Sequence, residues 1–427
     1  MNQVRVGELV ECLAVSGPSN ERLQKLKRIS KRDWEALLPW MDLSGIALPL
    51  WDSVQRAGAE GILPPQIRAV FEMKLENHRQ RVTDMALEFD SLNRQFQHAG
   101  IDCVVWKGFA LIPDYCPDPC LRLSYDYDYL VSRNDWDKSR TMLEGSGYIL
   151  KPDPDTQVHL TFVLRHGVPR QSISAVGLYA PALPRKVELH LSPWDEAASH
   201  IPLSVPAGTL DRKVRRMWRG MSFDSLGELD TFVFQMIHAF QHILHNWCRL
   251  GWLREIAYFL ERRSTDRQFW NSLDDYLGSD GLLKEVVALV VSLAARLFHA
   301  TLSPPVERQM RGAMRRPVAL WVEHYGLSSA LNNFSENKYS LFLYREFVRE
   351  EAYWQEIRRC RLLPLHRPNR IADAAPAAPF VLLPESWKQG WYVVQRLIHH
   401  TVSGAGYAWE SARWQRMRRL CVDRVLR

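Results

Sequence analysis

This sequence of 427 residues lacks a long apolar run of the kind that enters a membrane or a secretory pathway. Near the N-terminus, Glu8 and Glu11 interrupt the only hydrophobic stretch, so we expect no secretory signal peptide. The most apolar later segment has only ten uncharged residues between Glu285 and Arg296, about half of a membrane span. We therefore expect a buried helix there, no transmembrane segment and a cytoplasmic protein.

Paired cysteines are also lacking. The chain has seven, at positions 12, 103, 116, 120, 248, 360 and 421. An odd, scattered set without a signal peptide predicts reduced thiols rather than a disulfide framework. Only Cys116 and Cys120 are close in sequence, in YCPDPC, and two intervening prolines without a second pair nearby argue against a zinc site.

Basic residues, by contrast, are in excess. The 55 Lys and Arg outnumber the 48 Asp and Glu, and a formal net charge of +7 suits an anionic partner such as nucleic acid, a nucleotide, a membrane surface or an acidic peptide. Much of it lies in residues 413–427, which hold six arginines and one aspartate. A basic C-terminal helix there contacts an anionic surface or a partner, or it packs through Trp414, Leu420 and Val425. The basic segment DRKVRRMWRG, from Asp211, either faces a phosphate or links domains.

Hydrophobic periodicity divides the chain into four regions. Apolar residues recur at helical intervals over residues 20–100, where a Pro-Pro start and Gly100 bracket a long helix. The runs IDCVVWKG, LSYDYDYLVS and PRKVELHLSP predict strands, which with a helix between them form a small α/β or α+β unit. Helical patterns return from about residue 207, and an Ala/Pro-rich loop and the basic helix follow. The expected regions are 1–99, 100–205, 206–362 and 363–427.

The segment RLSYDYDYLV places two carboxylates two residues apart in a predicted strand. Asp126 and Asp128 share a face because strand side chains alternate, which puts their α-carbons about 6.5–7 Å apart. Two adjacent carboxylates repel each other, and a divalent cation between them relieves the repulsion; oxygen ligands favour Mg²⁺ or Mn²⁺. An exposed strand with acidic residues on its solvent face is the alternative, and the spacing alone leaves both open.

Neighbouring predicted elements favour the metal interpretation. Lys107 and Gly108 directly follow an apolar strand, where glycine lets a ligand approach the backbone closely. Lys107 and Arg122 are suited to binding phosphate. In KVELHLS, Glu188 and His190 share one face of another predicted strand. Three acids on neighbouring strands beside a Lys-Gly turn suit two-metal phosphoryl chemistry.

The order of these motifs resembles that of the uncharacterised nucleotidyltransferase family of bacteria, within the DNA polymerase beta nucleotidyltransferase superfamily. The family has an apolar strand ending in Leu-Lys-Gly, a Tyr-Pro loop, Arg, Asp-x-Asp-x-Leu-Val, a helix, Gly-Tyr and a Glu-Leu-His strand. Over roughly residues 30–265 the matching positions are Lys107-Gly108, Tyr115, Arg122, Asp126, Asp128, Leu130-Val131, Gly147-Tyr148 and Glu188-Leu189-His190, followed by RLGWL on a trailing helix. The chain departs from the pattern at Trp106 (usually Leu), Tyr125 (often Gly) and Glu255 (Asp in relatives).

The resemblance implies an α+β fold, with a small mixed β-sheet core flanked by N-terminal and C-terminal helical regions. It also implies transfer of a nucleoside monophosphate from a nucleoside triphosphate to an unidentified small-molecule, sugar or peptide acceptor, with release of pyrophosphate. Asp126, Asp128 and Glu188 would ligate Mg²⁺ or Mn²⁺, or Glu188 would act as the general base. The expected nucleotide and phosphate contacts are Lys107, Gly108, Arg122, Ser124 and Tyr125.

Two other functions stay open: a nucleotide-binding or scaffold protein without turnover, and a nucleic-acid-binding protein that uses its basic helices. Among the histidines, His238, His242 and His245 share one face of a predicted helix. Together with His190, the first two are candidates for the substrate cleft; structural packing is the alternative, and the missing HExxH pattern argues against zinc. Three residues between the predicted strands that carry Asp128 and Glu188 are expected at the border of the cleft: His159, Arg165 and His166.

Overall fold

A seven-stranded mixed sheet lies between helical regions, and this α+β architecture confirms the predicted fold class. The computed structural model describes residues 3–17, 19–151, 158–165, 175–181, 185–331, 337–363 and 385–423. Five helices precede the sheet: α1 (Gln3–Glu11), α2 (Asn20–Gln24), α3 (Lys31–Ser44), α4 (Ala47–Arg56) and α5 (Pro65–His98). Helix α5 begins at a proline, whose missing N–H is not needed at that position, and it ends just before Gly100 as predicted.

The strands come mostly from the region in which the sequence predicts them. They are β1 (Cys103–Val105), β2 (Asp126–Val131), β3 (Tyr148–Lys151), β4 (His159–Leu164), β5 (Lys186–His190), β6 (Val214–Trp218) and β7 (Met221–Ser225), with α6 (Trp136–Gly145) and α7 (Glu196–Ser199) between them. Their order is β3-β4-β5-β2-β1-β7-β6. The pairs β2–β5 and β1–β7 are parallel, and the other neighbours are antiparallel. Strand β2 is therefore central, with β5 and β1 at its sides.

The helices after the sheet form the larger helical region. They are α8 (Glu228–Leu244), α9 (Leu250–Arg262), α10 (Arg267–Leu277), α11 (Gly281–Phe298), α12 (Pro304–Ala313), α13 (Arg316–Trp321), α14 (Leu327–Leu331), α15 (Ser340–Phe347), α16 (Glu351–Leu362) and α17 (Glu385–Asp423). A π-helical segment, Val322–Gly326, joins α13 to α14. Short 3-10 segments lie at Lys25–Arg28, Glu60–Ile62, Gly108–Leu111, Pro119–Leu121, Arg133–Asp135 and Ala175–Tyr179.

The alternation of side chains in β2 determines which helix covers each face of the sheet. On one face, the Tyr127 hydroxyl donates to Glu88 of α5 at 2.8 Å, and the Tyr129 ring lies 4.5 Å from that of Phe96. On the other face, Leu130 packs with Trp106 and with Phe234 of α8. Asp126 and Asp128 therefore lie on the α8 face. They are at the end of β2 that the apolar cluster of Leu130, Trp106 and Phe234 does not cover.

One difference from the sequence-based expectation concerns the start of the second helical region. Residues 214–225 form the hairpin β6–β7, which extends the sheet, and continuous helix begins only at α8. The hairpin includes the basic segment near Asp211, and its charges pair within the protein: Arg215 with Asp224, and Arg216 with Asp114. Two adjacent arginines, Arg215 and Arg216, interrupt the segment VRRMW, and Val214 and Met217 are exposed on this edge strand, so the alternation typical of a half-buried strand is weak.

Hydropathy and charge led to predictions for two helices of the C-terminal region, α11 and α17. The apolar segment around Val290 is the buried helix α11, as predicted, and among the described helices none combines the length and hydrophobicity that a bilayer crossing requires. Helix α17 packs through Trp414, which is buried against Tyr325 and Phe342. Leu420 is exposed, and Val425 lies outside the described residues. All seven cysteines carry free thiols.

A close backbone approach fixes the start of α9 against the N-terminal helices. Gly251, inside RLGWL, packs against Gly45, which ends α3 with a φ of 71°. A Cβ atom on Gly251 would lie 2.8 Å from the Gly45 carbonyl oxygen, so no larger residue fits without movement of the backbone. This contact holds the first turn of α9, the helix that carries Glu255 towards the sheet.

A buried ion pair joins α3, α5 and the segment before β5. Lys74 Nζ lies 2.6 Å from Asp42 Oδ2, and both side chains are at most 2% exposed. The Tyr179 hydroxyl donates to Asp42 Oδ1 at 2.8 Å. Burial raises the pKa of Asp42, and the Lys74 charge opposes this effect. The ionised form of Asp42 is therefore stabilised by both Lys74 and Tyr179.

We expect Lys74→Met to lower the free energy of unfolding by about 3–5 kcal/mol, because it leaves a buried carboxylate without its cation. Adding Asp42→Asn should recover much of that loss, since the amide stays neutral and still accepts from Tyr179. Arg56→Met is the control: it removes an exposed pair with Asp52 and should cost less than about 1 kcal/mol. Urea unfolding measures all three. Equal losses from the two single variants would contradict this account.

Candidate active site

Three acidic side chains converge where β2 and β5 run side by side. The parallel register pairs Asp128 with Glu188 and Asp126 with Lys186. Because alternate residues of a strand share a face, Asp126, Asp128, Glu188 and His190 point to the same side of the sheet. The structure thus brings the predicted carboxylates together on adjacent central strands and not on an exposed edge strand.

Asp128 is the carboxylate of this group whose negative charge is best offset by neighbouring groups. Its side chain is 2% exposed, and Oδ1 lies 2.9 Å from Lys107 Nζ and 3.1 Å from His190 Nε2. Lys107 also lies over the Trp106 ring, 4.1 Å from its centroid, which holds the ammonium group beside the carboxylate. Burial alone would raise the pKa of Asp128, but the Lys107 charge and His190 hold it well below its usual range.

Asp126 differs from Asp128 because no contact among the described residues offsets its negative charge. Within the part of the chain that the structure describes, its carboxylate makes neither an ion pair nor a hydrogen bond. Burial, followed by the negative charges of Asp128 and Glu188, raises the pKa of Asp126 from 3.8 to about 7. This half-buried carboxylate lacks a directly contacting positive partner among the described residues. Asp126 and Asp128 therefore fit a hard divalent cation such as Mg²⁺ or Mn²⁺, in both their oxygen donors and their excess negative charge.

Glu188 is surrounded by imidazole rings. His159 Nε2 lies 3.3 Å and His190 Nε2 lies 3.9 Å from Glu188 Oε2. The two rings stack with their centroids 4.6 Å apart. Burial and the Asp128 charge raise the pKa of Glu188, but the hydrogen bond with His159, together with His190 and the Lys107 charge, leaves the pKa below its ordinary value. Glu188 is thus a carboxylate at neutral pH, as a metal ligand or a general base must be.

Four of the five nucleotide- and phosphate-binding candidates line one cleft with the aspartates. It is open to solvent, and the predicted residues at its wall are Lys107, Gly108, Arg122, Ser124, Asp126 and Asp128. Gly108 has a φ of 63°, a left-handed conformation that favours glycine, and a Cβ there would meet nothing within 4 Å. Arg122 Nε lies 3.0 Å from Glu255 Oε1, and its guanidinium donates to the Ser124 hydroxyl. The departure to glutamate at position 255 therefore still supplies an anionic partner.

Tyr125 lies on the other face of β2 from Asp126. Its ring is contacted by two guanidinium groups, those of Arg249 at 4.9 Å and Arg81 at 5.8 Å from its centroid. Burial raises the pKa of Tyr125 to about 12, so the phenol stays neutral. In this structure the ring is engaged with arginines from α5 and from the start of α9.

The histidines of α8 lie behind the cleft. His238 Nε2 lies 3.1 Å from His242 Nε2, and the His238 ring packs 6.1 Å from that of Trp106. Burial lowers the pKa of both His238 and His242 well below the ordinary value, so both rings are neutral. His245 turns towards the Gln241 carbonyl and Tyr344. His238 thus packs against Trp106, the residue whose ring lies under the Lys107 ammonium group.

Of the residues expected at the border of the cleft, His159 reaches Glu188, and the exposed Arg165 follows β4. His166 lies outside the described residues. Sequence reasoning missed the contact of His190 with Asp128 and the contact of Trp106 with Lys107. The alternation in KVELH is a signal for the first, because it already places His190 on the face of Glu188. No sequence signal identifies the second.

We expect the stability of the metal-free protein to fall as pH rises from about 4 to about 7, because folded Asp126 keeps a proton that the unfolded chain has lost. Asp126→Asn should remove this part of the slope, on the order of 1–3 kcal/mol in unfolding free energy. Urea unfolding with a chelator at several pH values measures it. The control is Asp137→Asn, at an exposed position on α6.

Adding Mg²⁺ at pH 8 should then stabilise the native chain and the Asp137→Asn variant, but not Asp126→Asn, because at this pH the cation neutralises the ionised Asp126 carboxylate, which the neutral amide does not offer. Identical pH slopes in the native protein and Asp126→Asn would show that Asp126 is not the uncompensated group.

The chain matches a known protein family. Residues 30–299 match the family described as uncharacterised nucleotidyltransferase, and this range holds the whole described sheet, the cleft and helices α8 and α9. Neither a curated protein nor a solved structure matches the chain significantly. The family match covers more than half of the sequence. The chain therefore belongs to the uncharacterised nucleotidyltransferase family, which associates it with the transfer of nucleotidyl groups.

Proposed function

We propose that this protein is a metal-dependent enzyme that transfers a nucleoside monophosphate from a nucleoside triphosphate to a small-molecule, sugar or peptide acceptor. The observation that carries the proposal is Asp126, a half-buried carboxylate that makes no ion pair or hydrogen bond with the described residues, in the same cleft as Lys107 and Arg122. Carboxylates that need cations beside cations that suit phosphate match a metal-bound triphosphate.

In the proposed reaction, a nucleophilic atom of the acceptor forms a bond to the α-phosphorus, and the bond from that phosphorus to the bridging oxygen of the β-phosphate breaks. Pyrophosphate leaves with the electron pair. Glu188, ionised and next to Asp128 in the sheet register, is positioned to take the acceptor's proton. The products are a nucleotidylated acceptor and pyrophosphate.

The basic residues neutralise the charge of the triphosphate. Lys107 is within reach of the cleft and pairs with Asp128, so a bound cation at the aspartates would free its ammonium group for a phosphate oxygen. Arg122 is held by Glu255 and Ser124, which fix its planar guanidinium at the wall of the cleft. Gly108 leaves space for phosphate oxygens to approach the backbone.

Asp126 and Asp128 would hold the divalent cation, with Glu188 beside them. Bound there, Mg²⁺ or Mn²⁺ supplies Lewis-acid stabilisation of the phosphoryl oxygens. The carboxylates contribute the negative charge that retains the ion, and the buried environment strengthens this attraction.

Incubation with each labelled triphosphate, Mg²⁺ and a cell extract, followed by mass analysis, tests the reaction class. We expect pyrophosphate release and a product heavier by one nucleoside monophosphate. Asp126→Asn combined with Asp128→Asn should lower the rate at least a hundredfold, because the charge that holds the cation is removed. Asp137→Asn is the matched control and should retain the rate.

Turnover that survives the double substitution would refute the proposal. Nucleotide binding without any transfer in the native protein would favour a nucleotide-binding or scaffold role. Binding of nucleic acid that weakens steeply with salt and needs no divalent cation would favour the nucleic-acid-binding alternative. The basic hairpin β6–β7 gives that alternative little support, since its arginines pair with Asp224 and Asp114.

A further inference from the structure

Strand β4 brings a second kind of donor to the site. It pairs antiparallel with β5, with His159 opposite His190 and Thr161 opposite Glu188. His159 therefore lies across the strand pair from His190, on the face that also bears Glu188, and the two imidazole rings stack with an interplanar angle of 24°. His159 Nε2 lies 3.3 Å from the Glu188 carboxylate, and His190 Nε2 lies near two carboxylates, 3.1 Å from Asp128 and 3.9 Å from Glu188.

The spacing of these donors matches that of ligands around one ion. Among the described residues, the group of three metal-ligating side chains whose donor atoms all lie within 4.8 Å of one another is His159, Glu188 and His190. In a tetrahedral site with bonds of about 2.1 Å, two ligand atoms lie about 3.4 Å apart. The distances from Glu188 Oε2 to the two Nε2 atoms, 3.3 and 3.9 Å, bracket that value. The side chains are 21%, 17% and 11% exposed, so an ion can reach them.

The chemistry of the donors differs from that of the aspartate pair. Two imidazole nitrogens and one carboxylate oxygen favour Zn²⁺ and related transition-metal ions, whereas Mg²⁺ prefers oxygen donors alone. Asp128 Oδ1 lies 3.1 Å from His190 Nε2, so this group adjoins the aspartate pair without coinciding with it.

We propose that His159, Glu188 and His190 form a binding site for a divalent transition-metal ion, next to the Asp126/Asp128 pair. This rests on the proposed function and deepens it, because it gives the active site a second cation position of different chemical preference beside the Asp126/Asp128 pair. Glu188 would be a ligand of that second ion, and its role as the general base would then apply only while the second position is empty. It also assigns a metal-binding role to His159, which lies on a strand outside the motif that carries the family resemblance.

The test uses the full chain after removal of metal by a chelator and dialysis. Co²⁺ serves as a spectroscopic probe, because its visible absorption changes when protein ligands replace water. We expect one Co²⁺ per chain with a protein-bound spectrum, displaced by stoichiometric Zn²⁺ but not by a large excess of Mg²⁺. His159→Ala should weaken Co²⁺ binding at least about tenfold, since it removes one of three ligands.

The matched control is His98→Ala, at the exposed end of α5, which should leave the Co²⁺ affinity and spectrum unchanged. His159→Gln accompanies His159→Ala, and circular dichroism melting of both confirms that they fold. If native protein binds no Co²⁺, or if both folded His159 variants bind it like the native protein, the inference is wrong. In that case the contacts are only hydrogen bonds between histidines and carboxylates.

The Asp126→Asn variant separates this inference from the proposed function. It should lose nucleotidyl transfer but keep the Co²⁺ spectrum, because Asp126 is not among the three ligands. Mg²⁺-dependent transfer in a protein that binds no Co²⁺ would refute the transition-metal site and leave the proposed function intact. A Co²⁺ site in a protein without any nucleotidyl transfer would support the transition-metal site and refute the proposed function.

Discussion

The crowding of negative charge on one face of two adjacent parallel strands is the constraint around which this site is built. Asp126, Asp128 and Glu188 lie close together in a buried setting, where repulsion between carboxylates is strong. Lys107 offsets only part of this charge, and His190 and His159 contact Asp128 and Glu188 as hydrogen-bond partners. The uncompensated remainder falls on Asp126, the carboxylate that the proposed cation would neutralise.

The helical layers hold the compensating groups in place. Helix α8 packs Phe234 against Trp106, whose ring lies under the Lys107 ammonium group. Helix α9, positioned by the contact of Gly251 with Gly45, carries Glu255 to Arg122. On the opposite face, α5 packs on the tyrosines that alternate with the aspartates in β2. The alternation YDYDY therefore does two things at once: its aromatic residues anchor the strand, and its acidic residues face the cleft.

Much of the fold was predictable because its signals are local. The apolar period and the Pro-Pro start of α5, the buried helix α11 and the strand character of β2 and β5 all depend on short stretches of sequence. The hairpin β6–β7 was not predictable in this way. Its outer strand is basic and exposed, so the alternation that identifies half-buried strands is weak, and its place beside β1 depends on packing of the whole sheet.

By itself, the sequence determined that Asp126 and Asp128 share a face, that Lys107 and Gly108 end a strand, and that Glu188 and His190 occupy one side of another strand. These statements need only the period of a β-strand. The tertiary structure decided that β5 pairs with β2 in parallel and that β4 adds His159 beside Glu188. It also decided that Arg122 meets Glu255. Such pairings join residues far apart in the chain, and they are selected by the burial of apolar faces against α5 and α8, which no local pattern encodes.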